Sequence, residues 1–270
     1  MIAHIAGESH RLRLSVSAIT DKGGRASNED YLGMIDLGSR GFCCTLADGA
    51  GGHGNGALAA RLTVDAVLGG YRENPMFAPA SLASLIFRAE HTVSEEQPTS
   101  VSRMHMSATV VLLCIDPVTG RALWAHWGDS RLYWFREGRV HRMTEDHSVV
   151  QQLLHAGLYA NGDPRSLPNR SVLAGAVGAE SQVPPTVLHE SMELTGGDAF
   201  LLCSDGLWEN LHESAMEQAL QAAERPDVWL QDMAEAVRSK GRPHQDNLSA
   251  LAVCCLLYTS PSPRDRQKYR

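Results

Sequence analysis

The stretch Thr45-Leu46-Ala47-Asp48-Gly49-Ala50-Gly51-Gly52-His53-Gly54 is an apolar run that ends at an acid and continues as a glycine-rich turn. Glycine has no Cβ, so its backbone can approach a ligand closely and can adopt positive φ. The Asp48 carboxylate and the Gly49 carbonyl are therefore suited to bind one hard metal ion. A surface turn that begins with Asp-Gly explains the same dipeptide, so this stretch alone leaves both interpretations open.

The same pattern recurs in distant parts of the chain. An apolar run ends at Ser204-Asp205-Gly206, and Gln245-Asp246-Asn247 leads into the apolar run from Leu248 to Leu257. Gly128-Asp129-Ser130 joins two further strand-like segments. Carboxylates that gather at strand ends repel one another unless cations lie between them. The four dispersed acids therefore predict a site for more than one metal ion, built from oxygen ligands.

Composition and charge narrow the class of protein. Of the 270 residues, 43% are hydrophobic and 20% are charged, as in an ordinary globular protein. A formal charge of -7 argues against a basic nucleic-acid-binding surface. No apolar run approaches the roughly 20 residues of a membrane span, and the N-terminal residues lack the apolar region of a signal peptide. We therefore expect a cytoplasmic protein with no nucleic-acid partner and no membrane span.

Cysteine usage agrees with a reducing compartment. All the cysteines lie in apolar, strand-like segments, and no two have the Cys-x-x-Cys spacing of a zinc or redox site. Small apolar thiols in such segments are typical core residues. We expect six buried, reduced thiols: Cys43, Cys44, Cys114, Cys203, Cys254 and Cys255.

Hydrophobic periodicity predicts two sets of strands with helices between them. Alternation of apolar and polar residues predicts a first strand from Arg11 to Ile19. The other predicted strands are Tyr31 to Ile35, Ser107 to Ile115, Ala122 to Trp127, Arg131 to Phe135, Arg139 to Met143, Ala199 to Cys203 and Leu248 to Leu257.

Helical spacing of apolar residues predicts five helices. They are one from about Leu58 that Gly69-Gly70 ends, one between Pro79 and Pro98, a short one from Val149 to Leu154, and two near Glu213 to Ala223 and Asp227 to Val237. Strand and helix patterns of this kind predict an α+β fold, a four-layer α-β-β-α sandwich in which two antiparallel sheets are flanked by helices.

Three irregular segments carry separate predictions. The loop from Thr20 to Tyr31 brings Arg25 and the adjacent acids Glu29 and Asp30 to a strand entrance, and the arginine fork suits phosphate oxygens. A solvated hairpin loop is the alternative.

Residues 158–179 are rich in Gly, Pro, Asn and Arg, which predicts a lid. Residues 258–270 read as a non-native or disordered tail, so the predicted domain spans residues 1–257.

Six motifs, in this order, together resemble the metal-dependent type-2C protein serine/threonine phosphatases. The resemblance covers about residues 12–256 and implies a bacterial-type enzyme that hydrolyses phosphoserine and phosphothreonine in proteins. The motifs are Arg25-x-x-Asn28-Glu29-Asp30, Asp48-Gly49-Ala50-Gly51-Gly52-His53, Gly128-Asp129-Ser130-Arg131, Asp146-His147-Ser148, Ser204-Asp205-Gly206-Leu207-Trp208 and Asp246-Asn247.

The resemblance also implies a binuclear Mn²⁺ or Mg²⁺ centre. By matching motif, Asp48 would bridge both ions, Gly49 would lend its carbonyl to one, and Asp205 with Asp246 would complete the other. Asp129 matches the acid of a third, weaker ion in bacterial members.

The remaining roles implied by the resemblance concern substrate and solvent. Glu29 and Asp30 would act mainly through metal-bound waters, and Arg25 would bind the substrate phosphate. Residues 157–178 match a mobile flap beside the channel. Animal members carry a histidine where this chain has Ala50; here His53 either takes part in the chemistry or only fixes the loop.

The partners implied are phosphoproteins and a cognate serine/threonine kinase, and some similar phosphatases control type VI secretion. We expect a monomer that acts without a phosphoenzyme, since no Cys-x₅-Arg signature is present. Loss of a metal-binding acid would favour a non-catalytic phosphoprotein-binding module, but none is lost. A structural Ca²⁺-binding protein would carry tandem loops with regular ligand spacing, which these dispersed acids lack.

Overall fold

The computed structural model describes residues 12–51, 55–97, 105–159 and 163–257. His53 and the predicted tail, residues 258–270, lie outside these ranges. The strands are β1 (Leu12–Asp21), β2 (Asp30–Asp36), β3 (Phe42–Ala50), β4 (Ser107–Ala108), β5 (Val110–Asp116), β6 (Arg121–Trp127), β7 (Arg131–Arg136), β8 (Arg139–Met143), β9 (Thr186–Val187), β10 (Met192–Glu193), β11 (Ala199–Cys203) and β12 (Leu248–Leu257). The α-helices are α1 (Asn55–Glu73), α2 (Pro79–Glu95), α3 (Val149–His155), α4 (Asp205–Trp208), α5 (Glu213–Ala222) and α6 (Pro226–Arg238).

The strands form two antiparallel sheets. The first sheet has the order β1-β12-β11-β7-β8, and the second has the order β10-β6-β5-β3-β2, with β4 on β3 and β9 on β6. Consecutive strands mostly pair as neighbours, which keeps the connections short. β11 and β12 are adjacent although 44 residues separate them in sequence, so the acids that follow β11 and precede β12 reach the same edge.

Three apolar cores hold four layers together. Trp134, Phe200 and Leu46 belong to the core between the two sheets. The second sheet packs its outer face against α1 and α2, and the first packs its outer face against α4, α5 and α6. The predicted α-β-β-α sandwich is therefore confirmed. A central strand such as β5 is buried on both faces, which is why its sequence is continuously apolar.

The predicted end of the first helix at Gly69-Gly70 is wrong. α1 continues to Glu73, and the glycines lie inside it. A Cβ placed on Gly70 would lie 2.8 Å from Leu85 Cδ2 on α2, so the absence of a side chain lets the two helices approach. Close packing thus outweighs the roughly 1 kcal/mol that an interior glycine costs a helix.

The predicted single strand from Ser107 to Ile115 is interrupted at Thr109. β4 and β5 flank this residue and pair with β3 in the same register on both sides of it. Thr109 lies opposite Asp48, and the Asp48 N–H bonds to the Thr109 hydroxyl at 2.9 Å. At this interruption the Thr109 hydroxyl, rather than a backbone carbonyl, accepts the hydrogen bond from the backbone N–H of the predicted metal ligand Asp48.

The prediction of buried, reduced thiols is confirmed for five of the six cysteines, whereas the predicted burial of Cys254 is wrong. All six are free thiols; five are buried and Cys254 is partly exposed. Cys43 and Cys114 face each other across β3 and β5. Within the described ranges, no helix has the length and apolar character needed to cross a membrane.

The ion pair that Arg136 forms with the buried Asp198 is predicted to stabilise the fold. The Asp198 side chain is 1% exposed and accepts hydrogen bonds from Arg136 Nε and Nη2 and from the Thr195 N–H, at 2.8–2.9 Å. Asp198→Ala leaves Arg136 Nε and the Thr195 N–H without this partner, while Arg136 Nη2 keeps the Glu193 carbonyl. We expect the substitution to lower the free energy of unfolding by about 2–3 kcal/mol. Urea unfolding measures the change.

Glu73→Ala is the matched control for this substitution. Glu73 forms an equally bidentate pair with Arg88, at 2.6 and 2.9 Å, on the exposed surface. Solvent screens such pairs, so its loss should leave the denaturation midpoint unchanged. Equal effects of the two substitutions would contradict the importance given to burial.

Candidate metal centre

A cleft of about 420 Å³ brings together all but two of the predicted site residues. Asp30 and His53 are the exceptions, and His53 lies outside the described residues. Asp30 pairs with Asp48 across β2 and β3 but lines a separate cavity of about 340 Å³. The cleft is lined by Arg25, Ala26, Ser27, Glu29, Asp48, Gly49, Ala50, Thr109, Asp129, Ser171, Leu173, Asp205, Asp246 and Asn247.

The backbone of Asp48 is held by Thr109. The Thr109 N–H donates to the Asp48 carbonyl at 2.8 Å, while the Thr109 hydroxyl accepts from the Asp48 N–H at 2.9 Å. The same hydroxyl lies 2.7 Å from Ser130 Oγ, in the turn that carries Asp129. Two predicted metal ligands, 81 residues apart in sequence, are therefore connected through one threonine and one serine.

Gly49 stands where no side chain fits. A Cβ at this position would lie 2.0 Å from the Gly56 carbonyl at the start of α1, and 2.9 Å from the Glu29 carbonyl. The Gly49 N–H donates to that Glu29 carbonyl at 3.1 Å. Glycine is required here because the strand end and the helix start touch at two glycines. The predicted approach of this backbone to a metal ion stays a prediction.

Asp205 and Asp246 come together because β11 ends where β12 begins. Asn247 fixes this junction: its Oδ1 accepts from the Glu29 N–H at 2.8 Å, and its Nδ2 donates to the Lys22 and Ser27 carbonyls. The loop that carries Glu29 and Arg25 is thus fastened beside Asp246 by one amide side chain.

Asp30 lies behind the cleft and is anchored at one oxygen. Its Oδ2 accepts from the Ser204 hydroxyl at 2.8 Å, whereas its Oδ1 is buried without a hydrogen-bond partner in the described residues. Burial raises the pKa of Asp30 to about 6, although the Ser204 hydrogen bond opposes the shift. A buried carboxylate oxygen left free in this way suits a cation or an ordered water.

Arg25 contacts a predicted metal ligand. Its Nη2 donates to Asp246 Oδ2 at 2.6 Å, and this hydrogen bond raises the pKa of Arg25. Arg25 Nε and Nη1 make no hydrogen bond within the described residues, so these two donor groups remain available to bind a ligand. The sequence motifs predict separate roles for the two residues and give no sign of this contact.

Asp129 lines the cleft and is almost fully buried. Burial, followed by the neighbouring Asp146 carboxylate, raises its pKa to about 7, and Arg131 opposes this. Trp208 Nε1 donates to the Asp129 carbonyl at 2.9 Å. The indole of the Ser204–Trp208 motif therefore supports the turn that carries the acid.

The predicted flap is attached to the body at several points. Arg165 donates to the Trp208 carbonyl and to Glu213, and Arg170 forms a bidentate pair with Glu209 at 2.6 and 2.9 Å. Two flap residues, Ser171 and Leu173, line the cleft. The flap thus forms one wall of the site.

The donor set fits hard divalent cations. Burial first, and the neighbouring acids second, raise the pKa values of Asp48 and Asp205 well above the ordinary range. All the groups are carboxylate or carbonyl oxygens, which favour Mg²⁺ or Mn²⁺. In the described part of the chain, no three His, Cys, Asp or Glu side chains already surround an ion position. One of the acids, Asp246, is engaged by Arg25.

Sequence reasoning missed the residues that hold the ligands. Ser130, Ser204, Trp208 and Asn247 stood inside the quoted motifs without a role, and Thr109 stood outside them. A polar residue inside an otherwise apolar strand is the signal that could have identified Thr109, because a buried hydroxyl needs a partner.

The raised pKa of Asp129 predicts a pH-dependent penalty in the metal-free protein. The folded state binds this proton up to a pH of about 7, whereas an ordinary aspartate loses it near 3.8. Stability from this group is therefore lost as the pH rises through that window. In chelator, Asp129→Asn should raise the melting temperature at pH 8 and raise it less at pH 5.

Thermal unfolding by circular dichroism at the two pH values measures the difference. Asp65→Asn, at an exposed position on α1, is the control and should change the melting temperature equally at both. A gain from Asp129→Asn that does not shrink at pH 5 would contradict the electrostatic origin.

Comparison with known proteins agrees with the predicted resemblance. The family model for protein phosphatase 2C matches residues 23–251. The serine/threonine phosphatase stp of Listeria welshimeri is 27% identical over 242 residues, which cover 87% of this chain and 93% of that protein.

Two solved structures are similar over most of their length. The S. agalactiae serine/threonine phosphatase has a TM-score of 0.79 and 26% identity, and the match covers 90% of this chain and 99% of that one. The catalytic domain of PstP, solved with two manganese ions, has a TM-score of 0.73 and 27% identity, with 91% and 99% covered. The chain therefore belongs to the protein phosphatase 2C family of protein serine/threonine phosphatases.

Proposed function

We propose that this enzyme removes phosphate from phosphoserine and phosphothreonine in proteins by direct attack of water at a binuclear Mn²⁺ or Mg²⁺ centre, without a phosphoenzyme. The observation that carries the proposal is the convergence of Asp48, Asp129, Asp205 and Asp246 on one cleft. Like charges gathered in this way are costly without cations. The manganese-bound PstP domain supports the choice of ion.

The residues divide the work by position. In this proposal Asp48 would hold both ions, Gly49 would offer its carbonyl to one of them, and Asp205 and Asp246 would hold the other. Asp129 would hold a third, weaker ion. Bound ions of this kind supply Lewis acidity, which lowers the pKa of water and offsets charge on the phosphoryl oxygens.

Glu29 and Asp30 would orient water around the ions. Glu29 lines the cleft, and burial raises its pKa. A nearby cation would favour the ionised form of this carboxyl group. Asp30 offers the unpartnered Oδ1 described above. His53 remains a prediction, either in the chemistry or in holding the loop.

Arg25 grips the substrate phosphate. Its free Nε and Nη1 suit two phosphate oxygens, and a guanidinium fork binds phosphate in that manner. Arg25 Nη2 contacts the Asp246 carboxylate, so an ion held by Asp246 would leave this Arg25 donor for the substrate.

Reversible phosphorylation requires a kinase that adds the group this enzyme removes. We propose a serine/threonine kinase as the opposing activity and the cytoplasm as the compartment. The free thiols support a reducing compartment.

Metal-dependent turnover is the direct test of the proposed function. The purified protein should release phosphate from p-nitrophenyl phosphate and from phosphothreonine peptides in Mn²⁺. Phosphate release should stop in EDTA and recover when Mn²⁺ is restored.

Mn²⁺ should also raise the melting temperature, because it binds the native state, and Asp48→Asn should largely remove this rise. Unchanged activity in excess chelator would exclude the mechanism.

Steady-state kinetics separate gripping the substrate from activating water. Arg25→Ala should raise KM severalfold with a smaller fall in kcat, because its hydrogen bonds act on the bound substrate as well as on the transition state. Asp205→Asn should reduce kcat about 100-fold or more, because it removes charge from an ion ligand.

Both variants should be measured at saturating and at varied Mn²⁺. Constants for Arg25→Ala within twofold of the wild type would overturn its assignment to phosphate. Full activity of Asp205→Asn at ordinary Mn²⁺ would overturn the binuclear centre.

A further inference from the structure

Two loops meet at one edge of the cleft, residues 22–25 and residues 240–246. The Gly24 N–H donates to the Gln245 carbonyl at 2.8 Å. A Cβ on Gly24 would lie 2.5 Å from the Pro243 carbonyl, so the two backbones are in direct contact. Each loop also contributes residues that line the cleft. Together the loops therefore form one continuous surface beside the site.

Basic residues are concentrated on this surface. Lys22 and Arg25 lie on one loop, and Lys240 and Arg242 lie on the other. The Arg25 side chain is 57% exposed, and the other three residues are also exposed. Asp246 is the only acid in the two loops, although the whole chain has a formal charge of -7. We call the four basic residues the basic rim.

Three of the four cations of the basic rim have no acidic partner. In the described part of the chain, no carboxylate forms an ion pair with the side chain of Lys22, Lys240 or Arg242. On the flap wall, by contrast, Arg170 forms a bidentate pair with Glu209. The basic rim therefore presents positive charge that the protein itself does not neutralise.

A buried amide holds two of these cations in place. Asn210 is 7% exposed; its carbonyl accepts from Lys240 Nζ, and its Oδ1 accepts from Arg242 Nη1 at 2.7 Å. The Asn210 Nδ2 donates to the Gly206 carbonyl at 2.9 Å, one residue after the predicted metal ligand Asp205. Because these acceptors are uncharged, both side chains are positioned and keep their full charge. Such preorganisation lowers the ordering cost of binding a partner.

Chain dimensions place the basic rim within reach of residues that flank a bound phosphoresidue. Lys22 is three residues from Arg25, and Arg242 is four residues from Asp246, so the Cα atoms in each pair lie at most about 11 and 14 Å apart. An extended peptide advances about 3.4 Å per residue. Side chains two to four residues from a phosphate held by Arg25 can therefore contact the rim.

We propose that the basic rim binds acidic side chains of the substrate, so that the enzyme prefers phosphoproteins in which Asp or Glu lies two to four residues from the phosphoserine or phosphothreonine. The proposal rests on the proposed function, because Arg25 must hold the substrate phosphate for the flanking residues to reach the rim. Charge complementarity of this kind speeds the encounter and selects among partners.

Two matched peptides test the preference. One phosphothreonine peptide carries Asp two to four residues from the phosphothreonine on both sides, and the other carries Asn at the same positions. In saturating Mn²⁺ at low salt, kcat/KM should be about fivefold higher for the acidic peptide, as two exposed charge contacts of about twofold each would give. Salt at 0.5 M should bring the ratio close to one, because it screens exposed charges. A ratio of one or less at low salt would overturn the proposal.

The double variant Lys22→Gln with Arg242→Gln assigns the preference to the rim. Glutamine at position 242 removes the charge and keeps an amide that can donate to Asn210. The ratio of the two kcat/KM values should fall below about twofold. Arg72→Gln is the control with the same loss of charge per substitution, because Arg72 is exposed on α1 about 24 Å along the helix from Gly56. The control should leave the ratio unchanged, whereas an unchanged ratio in the double variant would contradict the proposal.

A substrate without flanking residues separates this proposal from the proposed function. Hydrolysis of p-nitrophenyl phosphate in Mn²⁺ requires the metal centre and has nothing to place on the rim. Turnover of this compound without any preference for the acidic peptide would exclude the rim and leave the proposed function intact. Absence of turnover with all three substrates would exclude both.

Discussion

Repulsion between carboxylates that face one cleft is the constraint on which this structure depends. Asp48, Asp129, Asp205 and Asp246 line the same cleft. Burial, followed by repulsion from other cleft acids, raises the pKa values of Asp48 and Asp205, and burial with repulsion from Asp146 raises that of Asp129. Each acid stands at a strand end whose backbone is already hydrogen-bonded, so the chain cannot relax by moving them apart. The fold therefore stores an unfavourable charge arrangement that cations relieve.

Much of the site could be predicted from the sequence because strand ends are visible in it. An apolar run that ends in Asp-Gly locates an acid at a sheet edge, and the adjacency of β11 and β12 brings Asp205 and Asp246 together. The contact between Arg25 and Asp246 could not be predicted in the same way. It joins residues 221 positions apart through side chains, which no local pattern records.

The errors in the fold have the same origin. Gly69-Gly70 is a sound helix stop by local propensity, yet α1 continues because Gly70 lets α2 pack closely. Thr109 read as one more strand residue, yet its hydroxyl holds the Asp48 N–H. In both places a tertiary contact overrides the local preference, as expected where packing or function requires it. The four layers themselves were predictable, since hydrophobic periodicity reports burial directly.

The acids reach the cleft from both sheets, and this has a mechanical consequence. Asp48 belongs to a strand of one sheet, while Asp205 and Asp246 flank strands of the other, and the Asp30–Ser204 hydrogen bond already crosses between them. A cation shared by these acids would cross-link two layers that otherwise adhere mainly through apolar packing, with a few hydrogen bonds near the cleft. Affinity for the ion then reports how well the sheets are aligned. A substitution at Trp134, in the core between the sheets, would therefore change the concentration of metal ion that the enzyme needs.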